Sequence, residues 1–264
     1  MSLVQWHAAA WVNLGLALAT FFLGLLSPSG CVAAFFIGGL VWGCLGWQGW
    51  SVLLAFFAIG TGATKFRYKD KASLGVAQEH HGQRRWKHAW ANAGAGVLCA
   101  VWTLWYEQRG DVLHAGALRW AFVACFAAAL SDTLSSEFGQ LTGRPPRLIT
   151  TGQVVAIGTD GGITSAGTLA GVLGAASLSL LGRFLGLTPV RATLPILLAG
   201  LSGNLLDSYL GATLQKRGWM SNETVNFANT VGGAALGYLG YFIMDWMHLE
   251  ALEHGFPHLV QRFI

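Results

Sequence analysis

The strongest constraint on this chain is that apolar stretches long enough to cross a bilayer recur along it. Eight are drawn, over residues 4–26, 31–47, 49–63, 91–106, 115–136, 163–182, 190–214 and 223–244. A span of the hydrocarbon core takes about 20 residues of α-helix. In lipid, backbone polar groups must be satisfied within the protein, so runs of this kind are helices. The expected fold is all-α: a polytopic transmembrane bundle of about 7–8 spans, forming a single domain over residues 1–264. The second and third stretches are separated only by Gln48 and Gly49, so they are either two tilted spans or a partly re-entrant pair. Charged residues make up 11% of the chain, about half the soluble norm, and glycine contributes 36 of 264 residues, as close helix packing in lipid favours. The first run lacks a basic leader and is followed at once by another, so it reads as a span and not a cleavable signal.

Charge in the loops sets an orientation. Residues 64–90 hold Lys65, Arg67, Lys69, Lys71, Arg84, Arg85 and Lys87; residues 139–162 add Arg144 and Arg147; residues 215–222 add Lys216 and Arg217. In an eight-span drawing these loops share one face, against Arg109, Arg119, Arg183, Arg191 and Arg262 on the other. The positive-inside rule places the basic loops in the cytoplasm or its equivalent. A net charge of +4 is too modest to suggest a nucleic-acid partner. Cys31, Cys44, Cys99 and Cys125 all lie in apolar runs without metal-ligand spacing and read as small buried hydrophobes. The tail 245–264 is expected to be an interfacial helix broken near Pro257, and no repeat argues for an inverted transporter fold.

Polar groups inside spans are costly and point to function. Three clusters stand out. Asp132 and Ser136 share a face near the end of the fifth stretch, with Glu137 beside them. Asn204, Asp207 and Gly211 share a face of the seventh. Asn222, Asn226 and Asn229 form an amide stripe opening the eighth, behind a Ser221 or Asn222 cap. Interhelical hydrogen bonding is the plain alternative for the amides and for a lone aspartate. Between these clusters, Gly158-Thr159-Asp160-Gly161-Gly162 leads into the sixth stretch, and a glycine-rich turn at a helix N-terminus suits phosphate. The lysine of a Walker loop is missing.

All of these segments fall at one membrane face. Asp132, Glu137 and Asp207 offer oxygen ligands fit for Mg²⁺. Lys65 and Arg147 offer anion contacts, with the Gly158–Gly162 turn. Such a set on a body buried in lipid suggests phosphoryl transfer to an amphiphile, with a nucleotide arriving from water and a lipid from the bilayer.

Several strings then become familiar. Ser131-Asp132-Thr133-Leu134-Ser135-Ser136-Glu137, Pro146-Arg147 through Thr150-Thr151-Gly152 with Gly158–Gly162, and Asp207-Ser208 through Gly211 to Gln215 resemble the phytyl-phosphate kinase family of integral membrane proteins, related to phytol and dolichol kinases. Gly75 to Glu79, Arg84-Arg85 and Ala91 to Gly94 resemble its first basic loop. The resemblance covers about residues 60–240 and marks that region as the catalytic core. Gln153 stands where a lysine is common in that family, and Asn204 where a serine is.

The resemblance implies transfer from a nucleoside triphosphate, CTP or UTP, to phytyl phosphate or a similar isoprenyl phosphate lipid, in tocopherol and phylloquinone synthesis from salvaged phytol. It implies an integral protein of a bacterial plasma membrane, a thylakoid or a plastid envelope, working on the cytoplasmic or stromal face and among membrane lipids; a homo-oligomer is compatible with this. The expected catalytic set is Lys65, Asp132, Glu137, Arg147 and Asp207, and the nucleotide set is Thr150, Thr151, Gly158, Thr159, Asp160, Gly161, Gly162, Asn204, Ser208, Gln215, Lys216, Asn222 and Asn226. A phosphate monoester acceptor is already largely ionised at neutral pH, so no strong base is needed. His80, His81 and His88 are accordingly read as solvated loop residues. An ion-coupled transporter is the alternative of another class; a polyprenol kinase or a lipid nucleotidyl transferase is the neighbouring enzyme reading.

Overall fold

A computed structural model describes residues 3–77 and 83–253. Among the described residues the helices run in order: α1 Leu3–Phe22, α2 Pro28–Lys65, α3 Tyr68–Ser73, α4 Trp86–Glu107, α5 Val112–Leu141, α6 Ser165–Phe184, α7 Thr193–Leu210 and α8 Asn222–Glu253. Three of them, Pro28–Lys65, Val112–Leu141 and Ser165–Phe184, are long and apolar enough to cross a membrane by length and composition.

The ambiguous pair of apolar stretches is one continuous helical unit with a sharp reversal. Ser27 caps α2, its hydroxyl accepting from Gly30 N at 3.2 Å, and Pro28 follows at the first helical position. At Gly46 the backbone leaves helical geometry, with φ +67° and ψ −169°, which a glycine adopts without Cβ strain. The two halves then lie against the same residue of α1: Asn13 Oδ1 accepts from Trp50 Nε1 at 3.1 Å, and a Cβ on Gly38 would lie 1.9 Å from the same oxygen. The far end returns to the start, with Lys65 Nζ donating to Gly24 O at 3.4 Å. Residues 28–45 and 47–65 are therefore two antiparallel helical rods.

The centre of the bundle is α5, packed against α2, α4, α6, α7 and α8. Residues 120–131 are buried on all sides, which removes any polar face from this stretch. Its alanines let neighbouring backbones close in. A Cβ on Gly203 of α7 or Gly233 of α8 would lie 2.7 Å from Ala128 Cβ, and one on Gly237 would lie 2.6 Å from Ala124 Cβ. Small residues at helix contacts maximise van der Waals packing where lipid supplies no hydrophobic drive. Phe56, Phe122 and Phe126 fill the α2 side, with the Phe126 ring centroid 5.5 Å from that of Phe56 and 5.0 Å from that of Phe122.

Two local features depart from a purely α-helical expectation. Between α5 and α6 the chain forms a short antiparallel pair, β1 Arg147–Leu148 with β2 Gly162–Ile163, in the register Arg147↔Ile163 and Leu148↔Gly162. Leu148 is buried while the tip of the loop is exposed, and the pairing satisfies backbone groups where the loop meets the bundle. At the end of α7, Gly211–Gln215 forms a π-helical turn, closed by Lys216 N to Gly211 O at 3.3 Å. The expected interfacial tail begins as a direct extension of α8, which reaches Glu253; Pro257 and the rest of 254–264 lie outside the described residues. The four cysteines are free, with Cys99 and Cys125 buried and Cys31 and Cys44 half-buried.

Candidate functional site at the basic end of the bundle

The helices alternate in direction, and their ends collect as the charge pattern requires. The α1–α2 turn meets the segment before α4, where Ser27 N donates to Arg84 O at 3.2 Å. The end of α5 meets the start of α6, where a Cβ on Gly139 would lie 3.0 Å from Thr164 Oγ1. His88 of α4 lies 3.7 Å from Glu223 of α8. His88 is therefore a half-buried member of the first turn of α4, not a solvated loop residue, while Gln78 to Gly82, with His80 and His81, lie outside the described residues. At the opposite end Arg119 pairs with Glu107.

A cavity of about 250 Å³ opens at this basic end. The face of α5 carrying Asp132, Ser135, Ser136 and Gly139 forms one wall. Thr164, Gly167, Thr168 and Val172 of α6 form another, and Leu201, Asn204, Leu205, Asp207, Ser208 and Gly211 of α7 a third. Residues 157–163 close it from above, and Gln215, Asn222 and Asn226 complete the rim. Of the residues expected from sequence, Asp132, Gly158, Thr159, Asp160, Gly161, Gly162, Asn204, Asp207, Ser208, Gln215, Asn222 and Asn226 line one space.

Carboxylates dominate its electrostatics. Asp132 is in the field of Asp207, and Asp207 in that of Asp160. Asp207 Oδ2 is buried with no hydrogen-bond partner among the described residues. Desolvation lifts the Asp160 carboxyl above its ordinary range, and the Gln215 amide beside it pulls partly the other way. At the base, the Asn229 carboxamide is fully buried and faces Asp207 without completing a hydrogen bond of normal geometry. Asn204 is satisfied: its Nδ2 donates to Ser131 Oγ at 3.0 Å and Ser135 Oγ at 2.7 Å, tying α7 to α5 beneath the aspartates.

The glycine-rich segment is held by backbone geometry. Ile149 N donates to Gly161 O at 3.0 Å, and Gly162 N to Thr159 O at 3.0 Å. Gly161 has φ +75°, and a Cβ there would sit 2.5 Å from Ser208 O, so no other residue lets the loop lie on α7. Thr164 caps α6, its hydroxyl accepting from Gly167 N at 3.0 Å. The remaining first-turn N–H groups of α6 and the positive end of its dipole stand at the cavity wall.

Other expected residues are elsewhere. Glu137 is five residues beyond Asp132, about 140° round the helix at 3.6 residues per turn, and it leaves the cavity for a buried pair with Lys71 of α3 at 2.5 Å. Lys71 Nζ also donates to Thr64 O at 2.6 Å and Ala63 O at 3.1 Å, satisfying the end of α2. Lys65 is exposed and bonded to Gly24 O. Arg147 is exposed on β1, with Nη1 donating to Gly152 O at 2.9 Å. Thr150 and Thr151 form the exposed tip of the loop, and Lys216 is exposed and outside the lining. Among the described residues the cavity lining thus holds no lysine or arginine. Sequence reasoning passed over Ser135, Thr164, Thr168 and Lys71. Ser135 lies in a family string but is overshadowed there by Asp132, Thr164 and Thr168 carry only a helical-spacing signal, and Lys71 looks like its solvated neighbours in a basic loop.

The chain belongs to the family described as integral membrane protein DUF92, whose model matches residues 11–234. It is 37% identical over 221 residues to the uncharacterized membrane protein sll0875 of Synechocystis, covering 80% of this chain and 81% of that one. It is 35% identical over 228 residues to Protein VTE6, chloroplastic, of Arabidopsis thaliana, covering 84% and 68%. It is 34% identical over 219 residues to the uncharacterized membrane protein MJ0933 of Methanocaldococcus jannaschii, covering 82% and 86%. No solved structure matches. The resemblance drawn from the motifs of residues 60–240 therefore holds at the level of the family.

Proposed function

We propose that this DUF92 protein is a membrane-embedded kinase that transfers a phosphoryl group from a nucleoside triphosphate, CTP or UTP, to phytyl phosphate or a similar isoprenyl monophosphate, giving the diphosphate. The observation that carries this reading is one cavity in which Asp132 and Asp207 face a glycine-rich turn at a helix N-terminus, at the water end of an apolar bundle. The motif resemblance to phytyl-phosphate kinases, and a shared family with Protein VTE6, support it further. We take the helical rods, including both halves of α2, as eight crossings, with the basic end in the cytoplasm or stroma.

The residues fit a divalent cation. A triphosphate brought beside Asp132, Asp160 and Asp207 meets like charge, with no lysine or arginine among the described lining residues to offset it. Among the described residues no three His, Cys, Asp or Glu side chains group as a complete metal site. Mg²⁺ does not require one, since it is commonly held by one or two carboxylates together with substrate phosphates and water. Asp132 and Asp207, whose Oδ2 lacks a partner, would hold it. Bound there, it would neutralise phosphate charge as the transferred group loosens from its donor.

The chain's own residues do the positioning. The 158–162 turn and the first turn of α6 would offer phosphate oxygens those N–H groups not already given by Thr159, Gly162 and Gly167 to Ala156 O, Thr159 O and Thr164 Oγ1. Asn222, Asn226 and Gln215 form a neutral amide rim that orients the nucleotide or the acceptor phosphate without repelling either. Asn204 and its serine partners keep α5 and α7 at the spacing that sets Asp132 against Asp207. An acceptor monophosphate is already ionised near neutrality, so the site needs to hold no proton acceptor. A transporter is less well supported, because among the described residues the polar cavity with its carboxylates lies at one end of the bundle.

The test is a membrane assay with labelled nucleotide and four acceptors in parallel: phytol, phytyl phosphate, farnesyl phosphate and geranylgeranyl phosphate. Diphosphate formed from a monophosphate is the expected result. Product from phytol alone would make the protein an alcohol kinase, and base carried into product would make it a nucleotidyl transferase.

A further inference from the structure

Among the helices that wall the polar cavity, the apolar lining residues gather along one edge. It lies between α6 and α7, where Thr168 and Val172 face Leu201 and Leu205. Leu205 is 51% exposed, and Val172 and Leu201 are half-buried. Behind this edge the helices touch closely: a Cβ on Gly171 would lie 2.9 Å from Asn204 Nδ2 and 2.2 Å from Ser135 Oγ. The α5–α6 side is shut in the same way, since a Cβ on Gly167 would lie 2.6 Å from Ser135 O. The α7–α8 contact is close as well, since a Cβ on Gly203 would lie 2.7 Å from Asn229 Oδ1. The α6–α7 edge is the side where apolar helix residues of the lining reach the bundle surface. Toward the far end of the bundle this edge continues as exposed Leu198 and Leu194 on α7.

We infer that the α6–α7 cleft is where the hydrocarbon chain of the acceptor leaves the cavity and runs into lipid, its phosphate held inside near Asp132 and Asp207. The inference rests on the kinase reading above and adds the location of the chain. A cavity of about 250 Å³ is small beside pockets that enclose a drug-sized ligand, about 300–1,000 Å³. It does not enclose phosphate groups and a long prenyl chain together. An amphiphile of that kind needs polar walls at its head and an apolar exit, and the cavity joins the two at one edge. A second groove of about 460 Å³ lies across α5 and α6, lined by Leu134, Phe138, Ala170 and Leu173 with residues of α2. It shares no lining residue with the polar cavity, and the glycine seam separates them. It is the rival site.

The experiment uses the full chain in lipid nanodiscs with nucleoside triphosphate and dimethylallyl, geranyl, farnesyl or geranylgeranyl monophosphate. Val172→Trp and Leu205→Trp are each expected to raise KM for the geranylgeranyl acceptor about tenfold, equivalent to ~1.4 kcal/mol. The effect shrinks as the chain shortens, and KM for the nucleotide stays put. Leu173→Trp, in the rival groove, leaves all acceptors unchanged. The reverse pattern, with Leu173→Trp discriminating by chain length, overturns the inference. A benzophenone-tagged geranylgeranyl monophosphate gives a readout independent of turnover. Crosslinks on α6 and α7 without any kinase activity would keep the chain site and remove the kinase reading. Crosslinks on α2 and α5, or none competed by untagged acceptor, would remove the chain site even in an active kinase.

Discussion

Lys71 Nζ lies 2.5 Å from Glu137 Oε2, with the two side chains only 1% and 7% exposed. The pair joins the short α3 to the end of α5, and the same lysine satisfies two carbonyls at the end of α2. A buried pair contributes little over an apolar replacement, but removing one partner leaves an uncompensated charge and costs about 3–5 kcal/mol. Lys71→Met is expected to lower the unfolding temperature steeply in detergent. Glu137→Gln is expected to do the same, by an equal amount with and without added Mg²⁺. A Glu137→Gln protein that keeps its unfolding temperature but needs much more Mg²⁺ for turnover would return Glu137 to the metal set.

Asp132 and Asp207 respond in the opposite way. Each faces other carboxylates, so replacing either by asparagine relieves repulsion and leaves the unfolding temperature equal or higher. Turnover falls by a factor of about 100 or more, the scale reported for removing one preorganised electrostatic group at a transition state. Parallel unfolding and radiolabel assays check both halves. Near-normal turnover in both variants would remove the metal assignment.

Much of this arrangement was legible in the sequence, and the rest has identifiable causes. Asp132, Asp207, Asn226 and the Gly158–Gly162 turn converge because successive helices alternate in direction, which brings these helix ends together, and helical spacing fixes which face of each they occupy. Glu137 went astray over the same periodicity: adjacency in the chain suggested company with Asp132, while the turn of the helix carries it to Lys71. Lys65 is suggested by its charge and Arg147 by its charge and its motif, but neither signal says where an exposed base points, and each finds a backbone carbonyl. The β1–β2 pair escaped notice because two-residue strands have no periodicity to detect.

Gly161 and Gly152 allow the loop geometry to be tested by contrast. Both have positive φ, +75° and +69°. A methyl group at Gly152 meets nothing within 4 Å, whereas at Gly161 it meets Ser208 O at 2.5 Å. Gly152→Ala is expected to cost only the left-handed penalty, about 1–2 kcal/mol, and to leave nucleotide KM alone. Gly161→Ala must push the loop off α7, which raises nucleotide KM and lowers turnover at unchanged acceptor KM. Equal behaviour of the two variants in steady-state kinetics would show that the loop does not contact nucleotide.

The reversal at Gly46 makes a prediction about topology. Each half of α2 has about 18 residues, or roughly 27 Å at 1.5 Å per residue, close to the hydrocarbon thickness of a bilayer. Ser27 and Lys65 lie at one end of these rods and Gln48 at the other, since Lys65 bonds to Gly24 while Trp6, at the start of α1, packs on Gly43. In a background with Cys31, Cys44, Cys99 and Cys125 replaced, single cysteines at Ser27 and Lys65 are expected to react with an impermeant maleimide from the same side of sealed vesicles. A cysteine at Gln48 reacts from the opposite side. Labelling of all three from one side would make the pair re-entrant, and the bundle would then have two crossings fewer than proposed.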